Sequence, residues 1–138
     1  MDSTDGAKKI TLPPYAQALG MFVGRIEAGG AVIELPFDRK VEGRPGYLHG
    51  GAISGLLEMA AISAIHRALI EQSNDAPIKQ INVTIDFMRG GLPKTTFAIG
   101  NVIRLGRTMA NVEARAWQDD ASKPIATAQM HYLIKPPA

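Results

Sequence analysis

The chain of 138 residues contains no cysteine, and neither sign of charge dominates it. The missing cysteine excludes disulfides, thiol nucleophiles and cysteine metal sites. Charged residues make up 20% of the chain, and 15 basic and 13 acidic side chains leave a net charge of only +2. Because there is no basic run, we expect no nucleic-acid partner. The apolar fraction of 46% is that of an ordinary globular protein, and the length fits one domain.

The sequence also lacks the segments that direct a protein to or across a membrane. The N-terminal stretch MDSTDGAKKITLPP has no apolar core of signal-peptide length. The longest mostly apolar stretch carries Glu58, His66 and Arg67, which argues against a transmembrane helix. We therefore expect a cytoplasmic protein without a membrane partner.

The order of elements is predicted to be β-β-α-β-β-β-β. Residues 1–20 form a polar tail with room for a short helix at about 14–20, and 21–138 form one domain. Alternating apolar residues predict a hairpin turned at Gly29 and Gly30. A helix is expected at about 50–72. It is followed by strands at 78–89, 95–105, 108–118 and 125–135. Without βαβ alternation the fold should be α+β, an antiparallel sheet of five to six strands with the helix on one face.

Two details of the later strands are also predicted. In the first strand after the helix, Ile81, Val83, Ile85 and Phe87 alternate with polar residues and should share one face. Gly106, between Leu105 and Arg107, is interpreted as a bend or bulge, because glycine inside a strand pattern often marks one.

The helix carries one carboxylate, Glu58, in otherwise small or apolar surroundings. An ionised carboxylate in such a setting costs several kcal/mol unless partners hold it. Gly51 and Ser54 lie on its side of the helix and leave room beside it. Nine residues upstream, His49 and Gly50 stand where the helix should begin. This combination suggests a site.

Simpler interpretations stay open for each of these residues. Glu58 could lie on a narrow solvated edge of the helix. Gly50 and Gly51 could be a tight entry to the helix, because glycine allows close backbone approach. His49 could be a structural histidine, and Ser54 could bond to its own helix.

A helix that is apolar on all sides cannot be covered by a single sheet. Ile62 and Ile65 share the side of Glu58, whereas Leu56 and Ala60 point away from it. A second subunit is the simplest cover, so the burial argument predicts at least a dimer.

At this point the sequence resembles a known family. The stretches GYLHGGAISGLLEMA, INVTIDFMRGG, VIRLGRTMANVEARAW and PIATAQMHYLI resemble, in order and spacing, the hotdog-fold acyl-CoA thioesterases of the phenylacetate-degradation type. The resemblance covers about residues 20–135. It implies a sheet wrapped around a long central helix, two subunits joined edge to edge, and dimers that pair into homotetramers.

The resemblance also implies roles for individual residues. The backbone amide of Gly50 would hold the oxyanion, and Glu58 would be the general base or nucleophile. The acid of one subunit would face the helix start of the other. His49 belongs to the same His-Gly-Gly motif and is counted with the catalytic residues. Gly51, Ser54 and Gln80 are candidate substrate-binding residues, and Gln80 stands where relatives often have Ser or Thr.

One position departs from the family pattern. Relatives often have Asn or Gln six residues before the histidine, whereas this chain has Gly43. Without that side chain, either another group orders the attacking water or catalysis is weaker.

Arginines near strand ends are candidates for the phosphates of coenzyme A, because a guanidinium matches phosphate bidentately. Arg89, Arg104 and Arg107 qualify, and Arg107 has the best claim because Leu-Gly-Arg is a family feature. For any single one of them, a solvated strand-end charge is the simpler interpretation. His49, His66 and His131 are not spaced as metal ligands, so no metal is expected. No cofactor is expected either, because coenzyme A enters as part of the substrate.

The sequence thus predicts a thioester hydrolase acting on an acyl- or aryl-acyl-CoA. Two alternatives remain. One is a hotdog enoyl-CoA hydratase or dehydratase, in which His49 and Glu58 would move protons on the acyl chain. The other is a non-catalytic acyl-CoA-binding domain, which Gly43 keeps open.

Overall fold

A computed structural model describes residues 11–27 and 30–135 of the chain. The predicted tail before residue 11 and the turn residue Gly29 lie outside these ranges. The elements in chain order are α1 (Pro14–Ala18), β1 (Phe22–Glu27), β2 (Gly30–Leu35), a 3₁₀ turn (Arg39–Val41), α2 (Gly50–Glu71), β3 (Ile78–Phe87), β4 (Thr96–Leu105), β5 (Met109–Trp117) and β6 (Ala126–Ile134). Each predicted strand and the long helix is present, with ends within two residues of the prediction.

The six strands form one antiparallel sheet in the order β1-β2-β4-β5-β6-β3. Helix α2 packs on one face of it, mainly against β4, β5 and β2. Gly100 of β4 permits this close approach, because a methyl group built there would lie 2.5 Å from the carbonyl oxygen of Ala60. The predicted α+β architecture is confirmed.

The core lies between α2 and the inner face of the sheet. Strand β6 shows the pattern most clearly, since its buried and less buried residues alternate as a half-buried strand requires. The buried residues are Ala126, Ala128, Met130, Tyr132 and Ile134.

The exposed apolar surface lies mainly on β3, whereas the sequence predicted an uncovered face of the helix. Twelve of the 22 residues of α2 are buried within the single chain, so the helix is better covered than its composition suggested. Large apolar side chains are instead exposed along the edge strand β3 and just after it. They are Ile81, Val83, Phe87 and Met88, with exposed fractions of 52%, 42%, 55% and 56%.

Strand β3 also departs from the predicted simple alternation. Its pairing with β6 shifts by one residue between Gln80 and Asn82, which places a bulge at Ile81. Gln80 pairs with Tyr132, and Val83 with Met130, both on the inner face of β6. The bulge therefore puts a polar side chain on the same face as Val83, and the prediction that Ile81 continues this face was wrong.

The residues around Gly106 form the turn between β4 and β5, not a bulge. The Gly106 N–H donates to the carbonyl oxygen of Met109 at 2.8 Å, which closes the hairpin. The bulge of this hairpin lies earlier, between Val102 and Arg104.

Among the described residues, only α2 is long and apolar enough to cross a membrane by length and composition. In the fold it is the core helix, and 56% of its most apolar 18-residue window is buried inside the protein.

Candidate active site

The start of helix α2 leaves one backbone donor without a partner. His49 is the N-cap, and its Nδ1 accepts a hydrogen bond from the Gly51 N–H at 2.8 Å. The His49 carbonyl accepts from the N–H groups of Ala52 and Ile53 at 3.0 and 3.1 Å. Within 11–27 and 30–135, no group accepts from the Gly50 N–H. This donor stands at the positive end of the helix dipole.

Backbone hydrogen bonds hold this helix start in place. The His49 N–H donates to the Val41 carbonyl at 2.7 Å, and the Leu48 N–H donates to the Gly91 carbonyl at 2.9 Å. Gly43 lies directly beside His49, since a methyl group at Gly43 would lie 3.0 Å from the His49 Cα. Gly43, which has no side chain, is therefore next to the helix start.

The helix start opens into a cleft of about 820 Å³. Its lining combines backbone groups, aromatic rings and a guanidinium, and includes Gly43, Tyr47, His49, Gly50, Phe87 and Arg89. A methyl group at Gly50 would meet only carbons of the Phe87 ring, at 3.8 Å or more. The cleft thus gives a ligand access to the free Gly50 amide.

Glu58 lies outside this cleft, further along α2. With a rise of 1.5 Å per residue, its backbone is about 12 Å from Gly50 along the helix axis. Its side chain is only partly exposed, and burial raises the pKa of its carboxyl. No hydrogen bond or ion pair to Glu58 is found in the described part of the chain. Within one chain, the Gly50 N–H and the Glu58 carboxylate therefore lie in different places.

A polar pair borders the Glu58 side of the helix. The Gln80 Nε2 donates to the Tyr132 hydroxyl at 3.4 Å, and that hydroxyl donates to the Met130 Sδ at 3.4 Å. Burial raises the pKa of Tyr132, and so does the nearby charge of Glu58, whereas the hydrogen bond from Gln80 lowers it. Tyr132 escaped the sequence analysis because it occupies an ordinary core position in the alternation of β6.

The other predicted site residues fall in different places. The Ser54 hydroxyl donates to the Gly50 carbonyl at 2.9 Å, as a packing residue would, and the Gly51 amide is already bonded to His49. Arg89 lines the cleft. Arg107 sits in the β4–β5 turn, beside the sheet end where Met109 pairs with Leu133.

The cleft is at the opposite end of the sheet, where Phe87 of β3 pairs with Ala126 of β6. Within one chain the cleft brings His49, Gly50 and Arg89 together. Gln80 bonds to Tyr132, whose pKa the charge of Glu58 also raises. Arg104 is exposed on β4 toward the far end, and Arg107 joins neither group. Among the described residues, no three of His, Asp and Glu are grouped so that they could hold a metal ion.

The family model of the thioesterase superfamily matches residues 45–125, more than half of the chain. The chain belongs to the thioesterase superfamily. The matched range of this superfamily member contains the helix start, Glu58, Gln80 and both Arg89 and Arg107, and it ends just before β6 with Tyr132.

Solved structures support the fold of this thioesterase-superfamily chain. A protein from Chromobacterium violaceum is 32% identical, with a TM-score of 0.73 over 96% of this chain and 90% of the other. A phenylacetic acid degradation-related protein from Ralstonia eutropha is 20% identical, with a TM-score of 0.79 over 96% and 98%. A mutant thioesterase from Pseudomonas aeruginosa is 22% identical, with a TM-score of 0.81 over 99% and 96%.

These likenesses confirm the predicted hotdog fold and the family resemblance. No curated protein sequence matches the chain.

Proposed function

We propose that this member of the thioesterase superfamily hydrolyses an acyl- or aryl-acyl-CoA thioester to the free acid and coenzyme A. The observation that carries the proposal is the unbonded Gly50 N–H at the start of α2, open to a cleft. A donor at a helix N-terminus stabilises negative charge on a carbonyl oxygen, a term often worth a few kcal/mol in acyl transfer.

The reaction divides between the free donor and Glu58. Water attacks the thioester carbon while Glu58 accepts its proton, and the carbonyl oxygen becomes an oxyanion held by the Gly50 N–H. The oxyanion then re-forms the carbonyl, the C–S bond breaks, and the proton passes to the leaving thiolate of coenzyme A. Alternatively, the Glu58 carboxylate attacks the thioester carbon, the C–S bond breaks, and coenzyme A leaves as a thiolate that takes up a proton. Water then hydrolyses the mixed anhydride, which releases the acid and restores the Glu58 carboxylate. The raised pKa of Glu58 suits it to either task.

The active site is proposed to be shared between two subunits. β3 is an edge strand with exposed apolar side chains, and such an edge is a template for pairing with another copy. In an antiparallel two-fold pair, the end of one β3 lies beside the start of the other. The cleft next to Phe87 would then approach the Gln80 and Glu58 region of its partner. Dimers of this kind could pair into tetramers.

Charged groups near the strand ends would hold the nucleotide part of coenzyme A. Arg89 lines the cleft in one chain, and Arg107 at the opposite sheet end would come from the other subunit. A guanidinium pairs with phosphate through two hydrogen bonds, which fits this use. We propose that the enzyme works in the cytoplasm without a metal or cofactor.

The test is a panel of short, long and aromatic acyl-CoA thioesters, with free thiol measured for the wild type and Glu58→Gln. We expect hydrolysis of at least one thioester and a loss of orders of magnitude in Glu58→Gln. Hydration of an enoyl-CoA without thiol release would favour the hydratase. Since the His49 Nδ1 is occupied by Gly51, that reaction would depend on Nε2. Tight binding of acyl-CoA without turnover would favour the binding domain that Gly43 keeps open.

A further inference from the structure

Tyr132 keeps a hydroxyl in the core although its hydrogen-bond partners are poor. The residue is 1% exposed on the inner face of β6. Its hydroxyl has a thioether as acceptor, Met130 Sδ at 3.4 Å, and a long bond from Gln80 at 3.4 Å. A thioether is a weak acceptor, and a buried tyrosine hydroxyl normally finds a better partner. Packing alone would be served equally well by phenylalanine.

The hydroxyl fixes which end of the Gln80 amide faces it. The single proton of Tyr132 goes to Met130, so its oxygen can only accept from Gln80, and Gln80 presents its Nε2. The Oε1 of Gln80 is thereby turned away from Tyr132. In the part of the chain that the structure describes, no donor bonds to this oxygen, and Gln80 is partly exposed. The Oε1 is an acceptor open to water.

A water that attacks a carbonyl gives one hydrogen to a general base, and a second acceptor that holds the other hydrogen orients its lone pair toward the carbon. Glu58 can take one hydrogen, and it lies near enough to Tyr132 for its charge to raise the pKa of that phenol. Gly43, beside the helix start, has no side chain that could accept the other hydrogen. The second acceptor is therefore sought among the residues near Tyr132.

We propose that Tyr132 is a positioning residue that holds the Gln80 amide so that its Oε1 accepts the second hydrogen of the attacking water. The pair would take over the task of the side chain missing at Gly43. This inference rests on the proposed thioester hydrolysis. It adds a residue on β6, outside the matched family range, to the machinery of the site.

The test is a double-mutant cycle with full-length Tyr132→Phe, Gln80→Ala and the combined variant. Tyr132→Phe should lower kcat roughly tenfold with KM within about twofold, because only the orientation of the water is lost. The combined variant should have the same kcat as Gln80→Ala, since Tyr132 acts through Gln80. Gln129→Ala, at an exposed position on β6 next to the buried Met130, is the matched control and should keep wild-type kcat.

The proposal is overturned if Tyr132→Phe keeps wild-type kcat. It is also overturned if the kcat losses of Tyr132→Phe and Gln80→Ala multiply in the combined variant. If Tyr132 only fills the core, Tyr132→Phe should lower the melting temperature, and its loss of kcat should multiply with that of Gln80→Ala. If Tyr132→Phe fails to fold, wild-type kcat in Gln80→Ala alone overturns the proposal. If the wild type hydrolyses a thioester and Glu58→Gln does not, such a result refutes only the positioning role of Tyr132. If the wild type has no thioesterase activity, both the proposed function and the positioning role are refuted.

Discussion

The imidazole of His49 caps the helix that follows it, with its Nδ1 accepting the N–H of Gly51 at 2.8 Å. This bond occupies one of the first free donors of the helix and leaves the neighbouring Gly50 N–H unbonded. It also fixes the ring tautomer, because an accepting Nδ1 puts the proton on Nε2. One side chain therefore stabilises the helix start and leaves one amide for a ligand.

Alanine at the two neighbouring glycines should have different effects. At Gly50 the new methyl group meets only Phe87 carbons at 3.8 Å, so Gly50→Ala should keep the melting temperature but lower kcat by obstructing the carbonyl. At Gly51 it would lie 2.9 Å from the His49 ring, so Gly51→Ala should disturb the cap and cost roughly 1 kcal/mol of unfolding free energy. Thermal melts and turnover on the same preparations check this. Parallel losses of stability and turnover in Gly50→Ala would show that Gly50 is only structural.

Substitutions of His49 separate capping from chemistry. His49→Ala loses the acceptor for the Gly51 N–H and should cost about 1 kcal/mol, whereas asparagine is a strong N-cap and should retain stability. We expect turnover to fall in both variants, because both lose the imidazole that lines the cleft. If His49→Asn kept full kcat in a thiol-release assay, His49 would be a cap alone.

Glu58 should make both stability and activity depend on pH. Because its folded pKa is raised above the ordinary 4.5, the unfolded chain loses this proton first as pH rises. The stability contributed by neutral Glu58 is complete below the unfolded pKa and is lost as pH rises through the folded pKa. The melting temperature of Glu58→Gln minus that of the wild type should therefore increase from pH 4 to pH 7. Exposed Glu113→Gln is the control.

The same ionisation should limit catalysis at low pH. The acid limb of kcat/KM is expected to have its midpoint above 4.5. A midpoint at or below that value, together with no gain in Glu58→Gln, would mean that Glu58 is an ordinary solvated carboxylate.

Assembly should depend on the exposed edge strand β3. Val83→Asp places a charge on a side chain that is 42% exposed in the single chain, so the fold should survive while pairing at β3 is lost. Sedimentation should show at least a dimer for the wild type and for Leu92→Asp, a control at a loop residue that is 46% exposed. Val83→Asp should lose assembly and activity together. A stable, active wild-type monomer would refute the shared site.

Much of the fold could be predicted because its signals are local. The apolar run of α2, the turn residues and the strand alternation each indicate an element without knowledge of its neighbours. Glu58 and Gly50 stood out for the same reason, as an acid in an apolar run and a glycine at a helix start. Recognising the family supplied the order and the roles.

The remaining features depend on pairing between distant strands. The bulge at Ile81 arises from the register of β3 against β6, so the sequence of β3 alone cannot reveal that Gln80 faces inward. Tyr132 acquires its neighbours from the same pairing. The apolar surface also proved to lie on β3, since a helix pattern cannot tell how much of the helix one sheet covers.

The central claim, a site shared between Glu58 of one subunit and Gly50 of another, is tested most directly by complementation. Inactive Glu58→Gln and Gly50→Val chains are mixed, their subunits are exchanged, and thiol release is measured. After random exchange, half of the dimers contain one chain of each variant. In each mixed dimer, one of the two sites has an intact Gly50 and an intact Glu58, and the other site has neither. We expect about a quarter of wild-type activity. If no activity returned although mass spectrometry confirmed the mixed dimers, each site would belong to a single chain and the account would be contradicted.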